Sequence, residues 1–383
     1  MPQEGKMNIA PAKITFSEAD RAVILKRIDE CLASGQLTLG NYGRQLEEYL
    51  AQYIGVDHAV TVNSGTSALE IPLRILDVAG GEVILPTNTF FATALAVLHA
   101  GGRVRFADID PTTFGLDIDQ LEELVNARTR GIIAVHIGGI ISPRMAELQA
   151  FCAQRDLFLL EDAAHALGST LNGQQAGTFG DAASFSFYPT KIVTSGEGGV
   201  LVTNSEGIDA EARLYRDQGK ASFTANVHGR MGYNWRLSEP HAIIGLSHCQ
   251  RLAEFVAERQ DIAGRYDAAL ESIEGVQALQ VPQECSSNYY KYIALLEDGI
   301  DRDALKKNMR EEFGVGLSGE VYERPVHLQP YFENEYREGY LPRAERLCRQ
   351  HICLPVYQGM SQAETQLVTE SLATALEMQK AKI

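Results

Sequence analysis

Between residues 59 and 204, short apolar runs alternate with helix-like segments, and this alternation is the strongest constraint on the fold. Several runs are apolar throughout, as in strands buried on both faces of a mostly parallel sheet. Segments such as 93–99 and 145–155 have the pattern of crossover helices, so we predict a three-layer α/β domain. The apolar runs are AVTV (59–62), EVILP (82–86), RVRFADI (103–109), GIIAVHI (131–137), LFLLED (157–162), SFSF (184–187) and GVLVTN (199–204).

An amphipathic helix is predicted ahead of this region. Ser17 is expected to cap it, and Asp20 lies three positions on, near the positive end of the helix. Ile24, Ile28 and Leu32 recur at helical spacing and should share one face.

The pattern changes again after the last apolar run. A polar, glycine-containing loop over 217–238 precedes a predicted long helix over 239–272, in which Pro240 is tolerated because it falls in the first turn. Beyond it we expect a smaller α+β domain, with a strand at 290–296 and helices at 301–313 and after 361. We therefore predict a large domain over 1–250 and a small C-terminal domain over 251–383, with the boundary inside the long helix.

Size and charge exclude several classes of protein. A chain of 383 residues suits about two domains. With 34 Lys and Arg against 50 Asp and Glu, the net charge is −16, which disfavours binding to nucleic acid or an anionic membrane. Residues 1–13 lack an apolar core of signal-peptide length, and no apolar stretch approaches the ~20 residues of a spanning helix. We expect a cytoplasmic protein.

The six cysteines show no repeated spacing and predict reduced thiols. Cys348, His351 and Cys353 lie close together, but their spacing matches no familiar zinc motif and no second ligand cluster follows. A helix end leading into a buried strand explains this segment better, so no metal site is predicted.

Three segments carry residues suited to chemistry, and each follows an apolar run. The first is NSGTSA (63–68), where a glycine and hydroxyl side chains open a helix. Free backbone N–H groups and the positive end of the helix dipole favour a phosphate there, although an ordinary capped helix has the same pattern. No Gly-Lys-Ser/Thr sequence of a Walker loop is present.

The second segment is EDAAH (161–165), at the end of a buried run. Burial of a carboxylate in that position costs free energy unless a cation pairs with it. Asp162 therefore either caps the next helix or pairs with a protonated heterocyclic nitrogen, with His165 close to the same ligand.

The third segment is SFSFYPTK (184–191), followed by the glycine-rich IVTSGEGG (192–199). A lysine held in a tight pocket can have a lowered pKa and react with carbonyls, although a surface lysine in a turn is the commoner case. The combination favours the first interpretation of Lys191. A phosphate site, a carboxylate for a pyridinium and a Schiff-base lysine at the strand ends of one sheet describe a pyridoxal phosphate site.

The sequence resembles the DegT-type sugar aminotransferases, which are fold-type I PLP enzymes, almost from end to end. The resemblance implies the corresponding fold, with a mostly parallel central sheet in the large domain. The matching segments are NSGTSAL (63–69), VILPTNTFFAT (83–93), VRFADID (104–110), EDAAHALGS (161–169), GTFGDAASFSFYPTK (177–191), TSGEGGVLVTN (194–204), GYNWRLSE (232–239) and RPVHLQPYF (324–332).

The resemblance implies roles for individual residues. Lys191 would bind the cofactor as a Schiff base and shuttle the proton, and Asp162 would keep the pyridine nitrogen protonated. His165 matches a position near the ring's 3-oxygen, where many relatives carry Gln. Phe90 would stack on the ring. Asn234 would reach the phosphate of the neighbouring subunit's cofactor, implying a homodimer with shared active sites. The phosphate-contacting positions are Thr66, Ser67 and Ser186.

Substrate contacts are implied for three further residues. Tyr188 lies where relatives carry an aromatic residue or His beside the sugar. Arg236, next to Trp235, could bind an anionic group or pair with Glu239 instead. His327 falls in a region that touches the nucleotide-sugar in relatives, or is a packed loop histidine.

The resemblance implies a transaminase that passes an amino group from L-glutamate, through pyridoxamine phosphate, to a nucleotide-linked 4-keto-6-deoxy hexose. The TSGEGG segment favours the 4-keto branch, whereas Tyr188 points weakly to a 3-keto sugar. An inosose-type cyclitol with glutamine as donor stays open. A sugar dehydratase is disfavoured because such relatives replace the lysine by His. Retention of Asp162 and Lys191 also argues against a non-catalytic sensor or scaffold.

Overall fold

The computed structural model describes residues 8–221 and 226–380, so residues 222–225 of the predicted loop lie outside the described residues. The strands, in chain order, are β1 (His58–Val62), β2 (Glu82–Pro86), β3 (Arg103–Ala107), β4 (Thr129–Val135), β5 (Phe158–Asp162), β6 (Thr170–Leu171), β7 (Gln174–Gln175), β8 (Ala182–Ser186), β9 (Gly199–Thr203), β10 (Val276–Ala278), β11 (Cys285–Ser286), β12 (Tyr292–Leu296) and β13 (His351–Leu354).

Helices precede, connect and follow these strands. They are α1 (Glu18–Ser34), α2 (Asn41–Ile54), α3 (Gly65–Ile75), α4 (Phe91–His99), α5 (Leu121–Leu124), α6 (Met145–Gln154), α7 (Glu206–Arg216), α8 (Glu239–Cys249), α9 (Leu252–Leu270), α10 (Arg302–Phe313), α11 (Pro342–Gln350) and α12 (Gln362–Lys380). Short 3₁₀ turns lie at Ile118–Gln120, Ile137–Gly139, Val326–Leu328 and Pro330–Phe332.

The predicted mostly parallel sheet is confirmed. Seven strands lie in the order β1-β9-β8-β5-β4-β2-β3. The run β8-β5-β4-β2-β3 is parallel, and β9 pairs antiparallel with both β8 and β1. Each of the seven apolar runs forms one of these strands, with ends that differ by two residues or fewer. Carboxyl ends of β1, β2, β5 and β8 consequently lie at one edge of the sheet.

Both faces of the sheet are covered, which explains the continuously apolar strands. In β2, Ile84 belongs to one buried cluster, with residues of α2, α6 and α8. Its neighbours Val83 and Leu85 belong to the other cluster, with residues of α3 and α4. Each such aliphatic side chain contributes about 1.5–3 kcal/mol on burial. The three-layer α/β architecture of fold-type I PLP aminotransferases is therefore present.

A second, three-stranded sheet in the order β10-β12-β13 carries its own apolar cluster, with side chains from α9, α10 and α12. Helix α9 spans both cores: Leu252 packs in the large-sheet cluster and Ile262 in the small-sheet cluster. Ile9 also packs in the small-sheet cluster and bridges Val315. The domain boundary near residue 250 stays a prediction.

The first helix begins as predicted, and its apolar side chains differ in burial. Ser17 and Asp20 form a reciprocal capping box. Ile24 is buried and Ile28 is partly buried, but Leu32 is 61% exposed. Helical periodicity gives the direction of a side chain but not the extent of the surface that covers it.

The predicted long helix over 239–272 is wrong, because two helices, α8 and α9, occupy this region. The helices part at Gln250 and Arg251. The Arg251 guanidinium bridges Asp20 of α1 and Glu254. This tie to a residue 231 positions away has no local sequence signal.

The segment around Cys348 is the predicted helix end entering a buried strand, α11 followed by β13. His351 is fully buried there, and its Nε2 accepts a hydrogen bond from the backbone N–H of Val321. Within residues 8–221 and 226–380 no three His, Cys, Asp or Glu side chains are grouped to hold a metal ion. Over the same residues, no helix combines the length and apolarity that crossing a bilayer requires.

Candidate active site

A cavity of about 390 Å³ opens at the carboxyl edge of the seven-stranded sheet. All three chemistry-bearing segments reach it. The side chains and backbone that line it and bear on the chemistry belong to Ser64, Gly65, Thr66, Thr89, Phe90, Asp162, His165, Ser186, Tyr188, Lys191, Tyr290 and Tyr322.

The first wall is the N-terminus of α3, where Ser64 caps the helix by accepting the backbone N–H of Ser67. Two glycines permit the close approach of strands and helix. A Cβ on Gly65 would lie 2.8 Å from the Cβ of Ser186, and one on Gly199 would lie 2.4 Å from the Ser64 carbonyl oxygen. Thr66 and Ser186 are thereby brought to one end of the cavity, beside the free N–H groups of an 11-residue helix. This arrangement is suited to a phosphate.

Ser67 has a different position from that predicted by the resemblance. Its hydroxyl donates to Asn63 Oδ1 at 2.7 Å and does not line this cavity. Ser67 instead borders a neighbouring cavity of about 480 Å³, together with Arg74 and the stacked rings of Tyr233 and Trp235. In the described chain, the Ser67 side chain supports the helix cap.

Asp162 forms the far wall, at the last residue of β5. Oδ2 accepts a hydrogen bond of 2.6 Å from the Thr93 hydroxyl, and Oδ1 accepts the backbone N–H of Ala164 at 3.2 Å. Thr89 lies 2.6 Å from Thr93, oxygen to oxygen. The carboxylate is therefore oriented from two sides and has no ion-pair partner among the described residues. A buried carboxylate in this state is suited to a cationic ring nitrogen.

Lys191 follows β8 and faces the same cavity. Burial lowers the pKa of its ammonium group to about 8, while the Asp162 carboxylate acts in the opposite direction. Its Nζ lies 4.6 Å from the centre of the Tyr290 ring. A lysine with this pKa carries a substantial fraction of free amine near neutral pH, as a nucleophile toward a carbonyl requires.

His165 is a neutral imidazole in a defined orientation. Its Nδ1 accepts the backbone N–H of Gly138, so the ring proton resides on Nε2, which donates to the Tyr322 hydroxyl oxygen at 3.1 Å. Burial, reinforced by the charges of Lys191 and Lys291, lowers the pKa of His165 well below its usual value. The side chain can donate a hydrogen bond to an oxygen in the cavity.

Phe90 and Tyr188 complete the rim as exposed aromatic side chains. Phe90 lies beside Tyr322, with ring centres 5.9 Å apart. An aromatic residue at this position offers a face on which a planar ring can stack.

Besides Ser67, three predicted residues do not line the cavity: Asn234, Arg236 and His327. Asn234 is exposed. Arg236 pairs with Asp217 rather than with Glu239, whose carboxylate instead accepts backbone N–H groups at the N-terminus of α2.

His327 does not reach the cavity in this structure. Its side chain is 0% exposed. Nδ1 lies 2.7 Å from the Thr87 hydroxyl and Nε2 lies 3.2 Å from Glu345. The packed-histidine alternative is the one observed, because these two partners hold the ring inside the fold.

Sequence reasoning missed Thr93, Tyr290 and Tyr322. Thr93 stands at the end of the quoted segment VILPTNTFFAT, three residues after Phe90, and helical spacing could have placed it near the strand end. The two tyrosines come from the C-terminal third of the chain, where no local pattern connects them to the sheet edge.

The donor set fits pyridoxal phosphate. Thr66, Ser186 and the start of α3 would hold the phosphate, Asp162 the ring nitrogen and Lys191 the aldehyde carbon. His165 Nε2–H, which donates to the Tyr322 hydroxyl in this structure, would instead donate to the ring's oxygen substituent. These groups converge on one cavity from different strand ends, which an ordinary capped helix or a surface lysine would not do.

Residues 18–373 match the model of the DegT/DnrJ/EryC1/StrS aminotransferase family. The chain belongs to this family. As a family member it is a PLP-dependent aminotransferase, and enzymes of this family act on nucleotide-sugar substrates.

Named relatives match over almost the whole chain. It is 30% identical to the GDP-perosamine synthase of Caulobacter vibrioides, over 97% of this chain and 98% of that protein. It is 34% identical to a UDP-N-acetyl-3-dehydro-alpha-D-glucosamine 3-aminotransferase of Acidithiobacillus ferrooxidans, over 90% of this chain and 91% of that protein. The solved structure of NtdA from Bacillus subtilis with bound cofactor PMP superposes with a TM-score of 0.88, at 28% identity, covering 94% and 83% of the two chains.

Proposed function

We propose that this family member transfers the amino group of L-glutamate to the 4-keto group of a nucleotide-linked 6-deoxy hexose. One observation carries the catalytic part: Lys191, with its pKa lowered to about 8, faces the oriented carboxylate of Asp162 across a cavity with a phosphate cradle at one end. The donor and the 4-position rest on the sequence resemblance, in particular on the TSGEGG segment.

Lys191, Asp162 and His165 have different roles in proton transfer. Pyridoxal phosphate, when bound, supplies an electron sink for the carbon that loses its proton. Lys191 Nζ takes that proton in one half of the reaction and returns one in the other, for which a pKa near 8 is well placed. Asp162 holds a positive charge on the ring nitrogen. His165 Nε2 donates a hydrogen bond without changing charge, because its own protonation is suppressed.

We also propose a homodimer in which Asn234 completes the phosphate site of the partner. The exposed position of Asn234 outside its own cavity supports this arrangement, since a buried residue could not serve a second chain. Thr66 lines both the catalytic cavity and the neighbouring one beside Tyr233 and Trp235, so a partner segment there would approach the phosphate cradle.

A 3-keto nucleotide sugar is the second candidate acceptor. The relative at 34% identity is named as an aminotransferase of a 3-dehydro sugar nucleotide, and Tyr188 lines the cavity where the sugar would lie. The two candidates share the donor half of the reaction and differ only in the carbon that is aminated.

The test is the absorption spectrum of the holoenzyme, recorded after adding L-glutamate and, separately, L-glutamine. We expect the cofactor band to bleach with glutamate and to return when a 4-keto-6-deoxy nucleotide sugar is added. Lys191→Ala should not bleach, and Lys380→Ala, an exposed lysine paired with Glu274, is the matched control that should behave as the wild type.

Each other result changes a defined part of the proposal. Recovery of the band only with a 3-keto nucleotide sugar selects the second candidate. Bleaching by glutamine alone, with recovery by an inosose, replaces the sugar by a cyclitol. If no cofactor band forms after incubation with pyridoxal phosphate, the proposed catalytic function is wrong.

A further inference from the structure

Another cavity, of about 330 Å³, lies beside the catalytic one and is called the second cavity below. It is distinct from the cavity that Tyr233 and Trp235 border. Thr190, Lys191 and Tyr290 line both, so the two spaces share a wall. The rest of its lining comes from the N-terminal segment 11–15, from α9 and from residues around the small sheet, including Arg259, Lys291, Ser318 and Gly319. An occupant of this cavity would lie next to the reactive lysine.

Arg259 of α9 is a buried cation that forms no ion pair among the described residues, and the Glu258 carboxylate acts on its charge only from beyond ion-pair distance. Its side chain is 4% exposed, Nη1 donates to the Tyr289 carbonyl at 3.0 Å, and Nε has no hydrogen-bond partner. The neighbouring Glu258 carboxylate accepts the backbone N–H of Gly359, and within the described residues no carboxylate forms an ion pair with Arg259. Burial lowers the pKa of the guanidinium to about 10, which leaves it charged at neutral pH.

Lys291 is a further cation of this cavity, which Lys13 and Lys191 also line. Its Nζ donates to Ser318 Oγ and to the Gly319 carbonyl, both at 2.9 Å. An ammonium group has three N–H donors, so one is left for a ligand. Nζ lies 5.5 Å from the centre of the Tyr290 ring, and Lys191 Nζ lies 4.6 Å from the same centre.

Unpaired buried charge is costly, and it is retained where a ligand supplies the opposite charge. No Asp or Glu is found among the residues that line the second cavity. In a chain of net charge −16, this leaves a locally positive space beside the reactive nitrogen. Its chemistry selects a small anion.

We propose that Lys291 and Arg259 form the carboxylate subsite for the amino-acid donor. The inference rests on the proposed function and names the residues that recognise its first substrate. An anion here would lie in a cavity that Lys191 itself lines, which suits an acid group of the same small molecule that reacts at Lys191. The diphosphate of a nucleotide sugar is separated from its keto carbon by the hexose ring, so it fits this position less well.

The experiment uses the holoenzyme and glutarate, a dicarboxylate that resembles glutamate but has no amino group to react. Binding is followed by competition against glutamate bleaching of the cofactor band and by direct calorimetric titration. The variants are Lys291→Met and Arg259→Gln. Arg265→Gln is the matched control, since Arg265 lies on the same helix and pairs with Asp261.

We expect each test variant to weaken glutarate binding and to raise the KM for glutamate by about tenfold to a hundredfold, the usual effect of losing a charge-assisted contact. The control should match the wild type. The second half of the reaction is measured separately, by adding a keto sugar to enzyme reconstituted with pyridoxamine phosphate. In both variants the cofactor band should return at the wild-type rate. If Arg259→Gln fails to fold, Lys291→Met alone decides the test.

Two results would overturn the inference while leaving the proposed function intact. One is unchanged glutarate affinity in Lys291→Met while wild-type enzyme reacts with glutamate. The other is weakened binding of UDP or GDP with glutarate unaffected, which would assign the cations to the nucleotide phosphates. A wild type that binds glutarate but aminates no sugar would instead contradict the proposed function and leave the subsite standing.

Discussion

Two hydroxyl groups on different walls of the catalytic cavity have unequal partners. On the sheet-edge wall, Thr93 donates to the carboxylate of Asp162 at 2.6 Å. On another wall, formed by the segment that pairs with β13 at Ser318, the Tyr322 hydroxyl accepts from neutral His165 at 3.1 Å. Hydrogen bonds to charged groups are worth about twice those between neutral groups. Substitutions at the sheet edge should therefore slow the reaction more than substitutions at the wall that carries Tyr322.

Replacing Lys191 by Ala should have the largest effect. Loss of the nucleophile and proton carrier is expected to slow glutamate bleaching by about 10³-fold or more. Stopped-flow absorbance at the cofactor band measures this rate. A bleaching rate within tenfold of the wild-type rate would show that another base replaces Lys191, and would contradict the catalytic role proposed for this residue.

Asp162→Asn should come next, with a loss of about 10² to 10³ in the same rate, because a neutral amide does not stabilise positive charge on the ring nitrogen. Retention of cofactor, followed by dialysis and absorbance, should also fall. Asp261→Asn on the exposed side of α9 is the control. Equal rates in Asp162→Asn and wild type would mean that the carboxylate acts only as a helix cap.

Removing the Thr93 hydroxyl tests whether the orientation of Asp162 matters. Thr93→Val should slow bleaching by about ten- to a hundredfold, because the lost hydrogen bond is to a charged group, and Thr93→Ser should restore the wild-type rate, because the hydroxyl returns. In the Asp162→Asn background, the Thr93 change should have almost no further effect. An undiminished effect in the double variant would indicate a packing role instead.

The pH dependence of cofactor attachment tests the environment of Lys191. Because the pKa of Lys191 is lowered to about 8, the free-amine fraction rises with pH and levels off above pH 8. The rate at which apoenzyme binds pyridoxal phosphate covalently should rise about tenfold per pH unit below 8 and then become flat. A rise continuing to pH 10 would indicate an exposed lysine with an ordinary pKa.

The smallest effect is expected for Tyr322→Phe. A neutral hydrogen bond contributes about 0.5–1.5 kcal/mol, so the bleaching rate should fall by about two- to tenfold. His165 would keep its tautomer, since the Gly138 N–H still fixes Nδ1 as the acceptor. A loss as large as that of Thr93→Val would remove the contrast between the two walls.

Much of the fold was predictable because its signals are local. The run EVILP coincides with β2, and the Ser17–Asp20 capping box forms as expected. The break between α8 and α9 was not predictable, since it coincides with the ties of Arg251 to Asp20 and Glu254. His327 shows the same limit: the motif that contains it resembles a substrate-binding segment, yet packing against Thr87 and Glu345 removes the ring from solvent.

The sequence by itself determined the alternation of buried strands and helices, and with it the edge at which Asp162, Lys191 and Thr66 meet. Those residues follow strands directly, so short-range geometry carries them to one place. Only the tertiary structure decided which distant groups surround them: Tyr322 beside His165, Tyr290 beside Lys191, and Arg259 at the neighbouring cavity. Contacts between segments so far apart in the chain depend on tertiary packing, and no local pattern encodes that packing.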